Sequence, residues 1–273
     1  DLTGTSVTAT AAVTGLNLSA VGTNIVTGTA GDVAIAAVTD TADANLTVAA
    51  TGNATLAAIT LDNGGAGNLN VTSDTDNTGT STLLAAGVIT VDGTATLAGG
   101  TDNDETLDVD ANVTAGGALT LQQGNADLAA NVNLAGQSVT ATSGIGGINL
   151  SGAGTNVVMA SGGDVAIAAV TDSANANLTV AATGNVSLSA ITLDNGGAGT
   201  LSVTADTDNT GASTLLAAGA ITVDAAATLS GGTDFNESID IDANVTSGGT
   251  LTVQRGNIDL AANISLTGAT VAA

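Results

Sequence analysis

The sequence predicts an all-β chain wound as a parallel β-helix. Three observations carry that expectation. A unit of 132 residues is written twice, short apolar–polar alternations recur at a steady interval, and the residues that other β architectures depend on are nearly missing.

The repeat is read by sliding the chain along itself. "GDVAIAAVTD" at 31–40 returns at 163–172, "LDNGGAG" at 61–67 returns at 193–199, and "STLLAAG" at 81–87 returns at 213–219. Roughly 70% of positions are identical between copies. Residues 1–132 and 133–264 are therefore two full repeat units of one continuous rod, and 265–273 begin a third. Finished solenoids close with atypical, polar caps. Neither end of this chain has that character, so it is expected to be an excerpt of a longer array, or a subunit whose ends are covered by neighbours.

Within the unit, four-residue alternations appear in order: "NLTV" (45–48), "NLNV" (68–71), "VITV" (88–91), "TLDV" (106–109), "ALTL" (118–121), "SVTA" (138–141) and "NVVM" (156–159). Period-two alternation bounded by Gly, Asn and Asp marks half-buried strands, and no 3.6-residue period competes with it. Most starts lie about 18–23 residues apart, with one gap near 12. A β-sandwich would need large core side chains, usually aromatic. This chain has one Phe, no Trp and no Tyr. Narrow stacked coils filled by Val, Ile, Leu and Ala suit it better. The absence of Pro agrees, because a strand with neighbours on both sides needs its N–H groups. The interval predicts six or seven coils per repeat and a rod of roughly 60–70 Å.

Composition also excludes chemistry. There is no His, Cys, Lys or Tyr, and Arg255 is the one basic residue. General acid–base catalysis is left with carboxylates, and a Ser or Thr nucleophile has no His or Lys to activate it. Structural zinc needs Cys or His. A net charge of −24 repels nucleic acid. No apolar run reaches the roughly 20 residues of a membrane-spanning helix, so membrane insertion is not expected. Nothing at the start resembles a signal peptide, so export would rely on a segment outside this sequence.

The segments "GALTLQQGNADLAANVNLAGQSVTAT" (117–142) and "GNVSLSAITLDNGGAGTLSVTAD" (184–206) resemble the repeats of filamentous-haemagglutinin-type exoproteins and giant bacterial surface adhesins. They share Gly–Asn turns ahead of x-Leu-x-Val strands and few aromatics or cysteines. The resemblance runs along essentially the whole chain and implies a right-handed parallel β-helix, an extracellular or cell-surface location, and a role as a stiff stalk or fibre. It carries over no catalytic residue.

Two acidic regions are candidate cation sites. In "TLDVDANV" (106–113), alternation points Leu107, Val109, Ala111 and Val113 inward and Asp108, Asp110 and Asn112 outward. Asp102, Asp104 and Glu105 precede them, and the second copy keeps Asp234, Glu237, Asp240 and Asp242. Such crowding is either a solvated acidic face or a place for calcium, which prefers oxygen ligands. The second region is "DTDNTG", with Asp74 and Asp76 at 74–79 and Asp206 and Asp208 at 206–211. A calcium loop of the helix–loop–helix kind needs a Glu at its twelfth position, where Ala85 and Ala217 stand. Asp, Asn and Gly are also what a plain turn uses. No cofactor is required by either reading.

The expected function is structural and non-catalytic: a repeat unit of an extracellular fibre, sheath or adhesin stalk. The expected partners are further copies, end to end or in one chain, with a glycan or cell-surface ligand. The alternatives are a face that binds glycan, mineral or ice, and a polysaccharide-active enzyme built on carboxylates alone. About ten Asn-x-Ser/Thr sequons, among them Asn45, Asn53, Asn112, Asn177, Asn185 and Asn244, follow from the abundance of Asn and Thr.

Overall fold

The computed structural model describes residues 2–4, 7–9, 15–100, 104–141, 145–233 and 236–273. Among them lie thirty-six strands and no helix. Every third strand belongs to the same sheet, which gives three sheets of twelve strands each. Sheet I starts at β1 (Leu2–Gly4), sheet II at β2 (Val7–Ala9) and sheet III at β3 (Leu16–Leu18). Neighbouring strands within each sheet pair in parallel, as in Leu69↔Leu46, Ile89↔Ile59 and Leu107↔Leu83. The chain is a three-sided β-solenoid, and at ~4.8 Å per rung the twelve-stranded stack is about 50–55 Å long.

Alternation dictates which side chains enter the core. In β7 (Ala44–Ala50) and its copy β24 (Ala176–Ala182), buried and half-buried positions alternate without a break. Because pairing is in register, the inward side chains stack in columns. One column of sheet I reads Leu46, Leu69, Ala95, Leu119, Val139, Val165, Val186, Leu215 and Ile239, and each of these is at most 3% exposed. No aromatic ring is needed to fill so narrow an interior.

Corners are closed by side chains that clamp one coil to the next. Asn68 donates through N and Nδ2 to Asn45 Oδ1 (2.9 and 2.8 Å), and Thr94 donates through N and Oγ1 to Asn68 Oδ1 (2.8 and 2.9 Å). On another corner Asn53 donates to Asp32 Oδ1 and accepts from Thr82 N. The second copy repeats this with Asp164, Asn185 and Thr214. These bonds satisfy turn amides that would otherwise face water singly. Glycine is required where coils touch: a Cβ on Gly116 would sit 2.2 Å from the Asp92 carbonyl oxygen.

The coil count differs from the expected six or seven. β18 (Asn133–Gly136) stands where β1 stood, 132 residues on, so one repeat holds seventeen strands. Seventeen strands over three sheets make five and two-thirds coils. Coils are longer than the alternations suggested because corner loops vary: successive rungs are 19 residues apart at Thr106↔Asn125 and 30 apart at Ile59↔Ile89.

Candidate functional site

The acidic residues of 104–110 do not converge. Glu105 shares the parity of Leu107 and Val109 and is 0% exposed, packed inside the coil against Gly99, whose added Cβ would lie 2.8 Å from the Glu105 Cβ. Glu237 is likewise fully buried, beside Gly231. Asp108 and Asp240 lie on the opposite, outer side of β14 (Thr106–Val109) and β31 (Ser238–Ile241). Asp104, Asp110 and Asp242 are exposed. Ala111, expected inward, is only half-buried, because the strand ends at Val109 and the chain turns a corner. Asp102 and Asp234 lie outside the described residues. Among the described residues no three carboxylates are grouped so as to hold a metal ion.

What the fold does bring together is a pair. Asp108 stands one rung from Asp127, and Asp240 one rung from Asp259. Asn149 continues the first column and donates through Nδ2 to Asp127 Oδ1 at 3.2 Å. Partial burial first, then the charges of Asp110 and Asp127, raise the Asp108 pKa above the ordinary carboxylate value. Asp240 is raised in the same way, by burial and then by Asp242 and Asp259.

The "DTDNTG" segments are turns at corners. Asp74, Asn77 and Gly79 have φ of 50°, 53° and 85°, and Asp206, Asn209 and Gly211 repeat the pattern at 50°, 55° and 96°. Asp, Asn and Gly are the residues that tolerate this left-handed region. Asp74 and Asp206 fold under the turn and are buried, their Oδ1 atoms accepting from Thr78 N (3.2 Å) and Thr210 N (3.1 Å). Asp76 and Asp208 point to solvent. Asp206 also lines a hollow of 210 Å³ together with Asn209, Gly232 and Arg255, and its Oδ2 makes no hydrogen bond among the described residues.

A third feature is legible only in register: threonine ladders. On sheet II the outward residues Thr171, Thr192, Thr222, Thr246 and Thr267 stack in single file. On sheet III, Thr39, Thr60, Thr90 and Thr114 do the same. The sequence signal is a β-branched residue followed by Thr, as in Ile59–Thr60 and Ile191–Thr192. A search for Thr-x-Thr misses it, because three-residue strands such as β9 (Ile59–Leu61) show one outward side chain.

A scan against protein-family models, a search of curated proteins and a search of solved structures each find no match to this chain.

Proposed function

We propose that the chain is a structural, non-catalytic module of an extracellular or cell-surface fibre, sheath or adhesin stalk. The observation that carries this reading is the junction between copies. Across residues 132 and 133 all three ladders continue, with Val113↔Leu134, Leu119↔Val139 and Leu128↔Leu150 paired in parallel, and a single bulge beside Gly124 and Asn125 is absorbed without ending the ladder. A further copy therefore extends the same rod with no new interface. Rigidity then comes from backbone pairing along the axis, and one Arg with no Lys leaves trypsin-like proteases a single basic site. Copies of the same repeat are the partners, along with a glycan or cell-surface ligand. Divalent cations, calcium included, act on this reading by screening the stacked carboxylates, without a cage.

Arrays of two, three and four repeats, imaged by electron microscopy, test the proposal. Each repeat is expected to add about 27 Å of length at constant width. Widening, or a globular particle, would end the fibre reading.

A second reading rests on the threonine ladders, which offer one methyl and one hydroxyl every ~4.8 Å to an ordered surface such as ice or mineral. Thermal hysteresis in dilute solution is its test, and its absence removes ice as the ligand.

A further inference from the structure

The repeat is one strand short of six coils, and this has a rotational consequence. β4 (Gly22–Gly28) lies in sheet I, while its counterpart β21 (Gly154–Ala160) lies in sheet III. β14 lies in sheet II and its counterpart β31 in sheet I. The two "DTDNTG" turns follow the same rule. The first joins β10 (Leu69–Thr72) of sheet I to β11 (Thr82–Ala85) of sheet II, and the second joins β27 (Leu201–Thr204) of sheet III to β28 (Thr214–Ala217) of sheet I. Equivalent surfaces of the two copies thus sit on different faces of the prism.

Each face in turn carries a sequence of different chemistries. Reading up sheet II, the outward column runs Thr8, Ala34, Thr55, Leu84, Asp108, Asp127, Asn149 and then the five threonines. Four of these threonines belong to the second copy and Thr267 to the start of the third, whereas the carboxylate pair belongs to the first. On sheet III the threonine strip belongs to the first copy and gives way to Ala135 and Met159. On sheet I the carboxylate pair is Asp240 and Asp259 of the second copy.

We infer that every added repeat turns its outer surface by a third of a revolution, so that an array displays each surface on all three sides and repeats a face only after three copies, or seventeen coils. For the fibre this has two effects, both resting on the structural reading above. A partner that recognises one repeat is bound around the rod in a spiral, so adjacent partners do not compete for one side. Two rods also cannot zip face to face over a long distance, because an uninterrupted threonine strip spans only five rungs before carboxylates or a change of side chain break it. Long runs of identical strand side chains can interdigitate face to face as dry zippers, and a carboxylate in such a contact would have to be desolvated. Here repeat length distributes that charge over the faces.

The rotation is measurable on the two-repeat chain itself, independently of whether arrays form fibres. The chain has no cysteine, so paired Cys substitutions can be spin-labelled cleanly. Asp76→Cys with Asp208→Cys marks equivalent turn tips on two different edges. Asp76→Cys with Ser189→Cys marks a single edge, since Ser189 follows β25 (Val186–Leu188), five rungs above β10 in sheet I. Pulsed dipolar spectroscopy is expected to give about 24 Å between backbones for the one-edge pair and about 34–37 Å for the equivalent turns, which combine about 27 Å of rise with a side about 20–25 Å wide. A distance at or below about 30 Å for 76–208 would put the copies on one face and overturn the inference. A second arm reads the consequence. Replacing Asp108, Asp127, Asp240 and Asp259, together with their counterparts in the third repeat, by Thr in a three-repeat array is expected to produce lateral bundles in light scattering. A variant as dispersed as the parent array would show that these carboxylates do not keep rods apart.

Discussion

The 132-residue repeat supplies its own control for what a coil gains from being covered. Leu128 and Leu260 are the same residue at the same place in the two copies. Leu128 is 1% exposed beneath Leu150 of the next coil, whereas Leu260, in a strand at the edge of its sheet, is 45% exposed. Truncating Leu to Ala removes about three methylene equivalents, or about 2.4 kcal/mol of transfer free energy for a fully buried side chain. Leu128→Ala also leaves a cavity between coils that cannot collapse without breaking backbone rungs, so the total should reach about 3–4 kcal/mol. Leu260 retains roughly half its exposure and leaves no closed cavity, so Leu260→Ala should cost about 1 kcal/mol. Urea unfolding compares the two, and amide exchange localises the effect: Leu260→Ala should speed exchange only in the terminal coil, since solenoid coils contact only their neighbours. Equal costs, within about 0.5 kcal/mol, would mean that Leu128 is not covered by a following coil, and the stacked-coil account would fail.

Other consequences follow from the same geometry. Raised carboxylate pKa values mean that the folded chain binds protons more readily than the unfolded one at pH just above the ordinary Asp value, so stability should increase as pH falls from 7 into that range. Asp108→Asn should raise the urea midpoint at pH 7 and flatten this pH dependence; a midpoint that drops would contradict it. Asp206→Asn removes a buried charge while keeping the acceptor for Thr210, so it too should stabilise. A loss restored by calcium would instead identify a cation held there. Gly79→Ala should cost only about 1 kcal/mol, for its left-handed backbone, because an added Cβ meets nothing within 4 Å. Gly87→Ala drives a Cβ to 2.4 Å from the Ala58 amide nitrogen and should disrupt its coil, which circular dichroism melting will report. The melting temperature should rise with ionic strength, with calcium adding nothing beyond magnesium at equal ionic strength.

Fold class was readable because two strong signals agree. Alternation fixed which residues face inward, and the lack of aromatics excluded a thick core. Five of the seven alternating segments lie wholly within strands, and the other two, 68–71 and 88–91, begin one residue ahead of theirs. The coil count was less legible. Strands such as β5 (Val33–Ile35) and β8 (Ala54–Leu56) have three residues, too few for a period-two pattern to stand out, so two of the three sides of a coil are easily overlooked. The acidic region shows a different failure. Five carboxylates within nine residues suggested one outward cluster, yet parity alone places Glu105 with Leu107 and Val109. Strand geometry prevailed over the usual preference of Glu for water. Asp127, the residue that does pair with Asp108, was missed because rung neighbours are 19 residues apart in sequence and nothing local links them.

The buried acids and the sequons have a common explanation in the corners. A solenoid must turn three times per coil, and where the corner backbones do not bond each other directly, as Gly93 N does to the Gly67 carbonyl, a side chain of the neighbouring coil reaches the amide. Asn45, Asn53, Asn112, Asn177, Asn185 and Asn244 all accept from a backbone N–H of the following coil through Oδ1. Asp74 and Asp206 do similar work within their own turns. A sequence rich in Asn-x-Thr therefore need not encode a modification site or a metal loop: the Asn closes the corner and the Thr two residues on faces outward from the strand it opens. The same positions then become the points where the rod is weakest, since losing one clamp exposes the backbone between two coils. Asn53→Ala and Asn185→Ala should each cost about 1–3 kcal/mol, by leaving the amides of Thr82 and Thr214 without their acceptor. Nearly equal losses in the two copies are expected, because a clamp depends on the coil it joins and not on which face of the rod it occupies; a cost confined to one copy in urea unfolding would show that the corners are not equivalent.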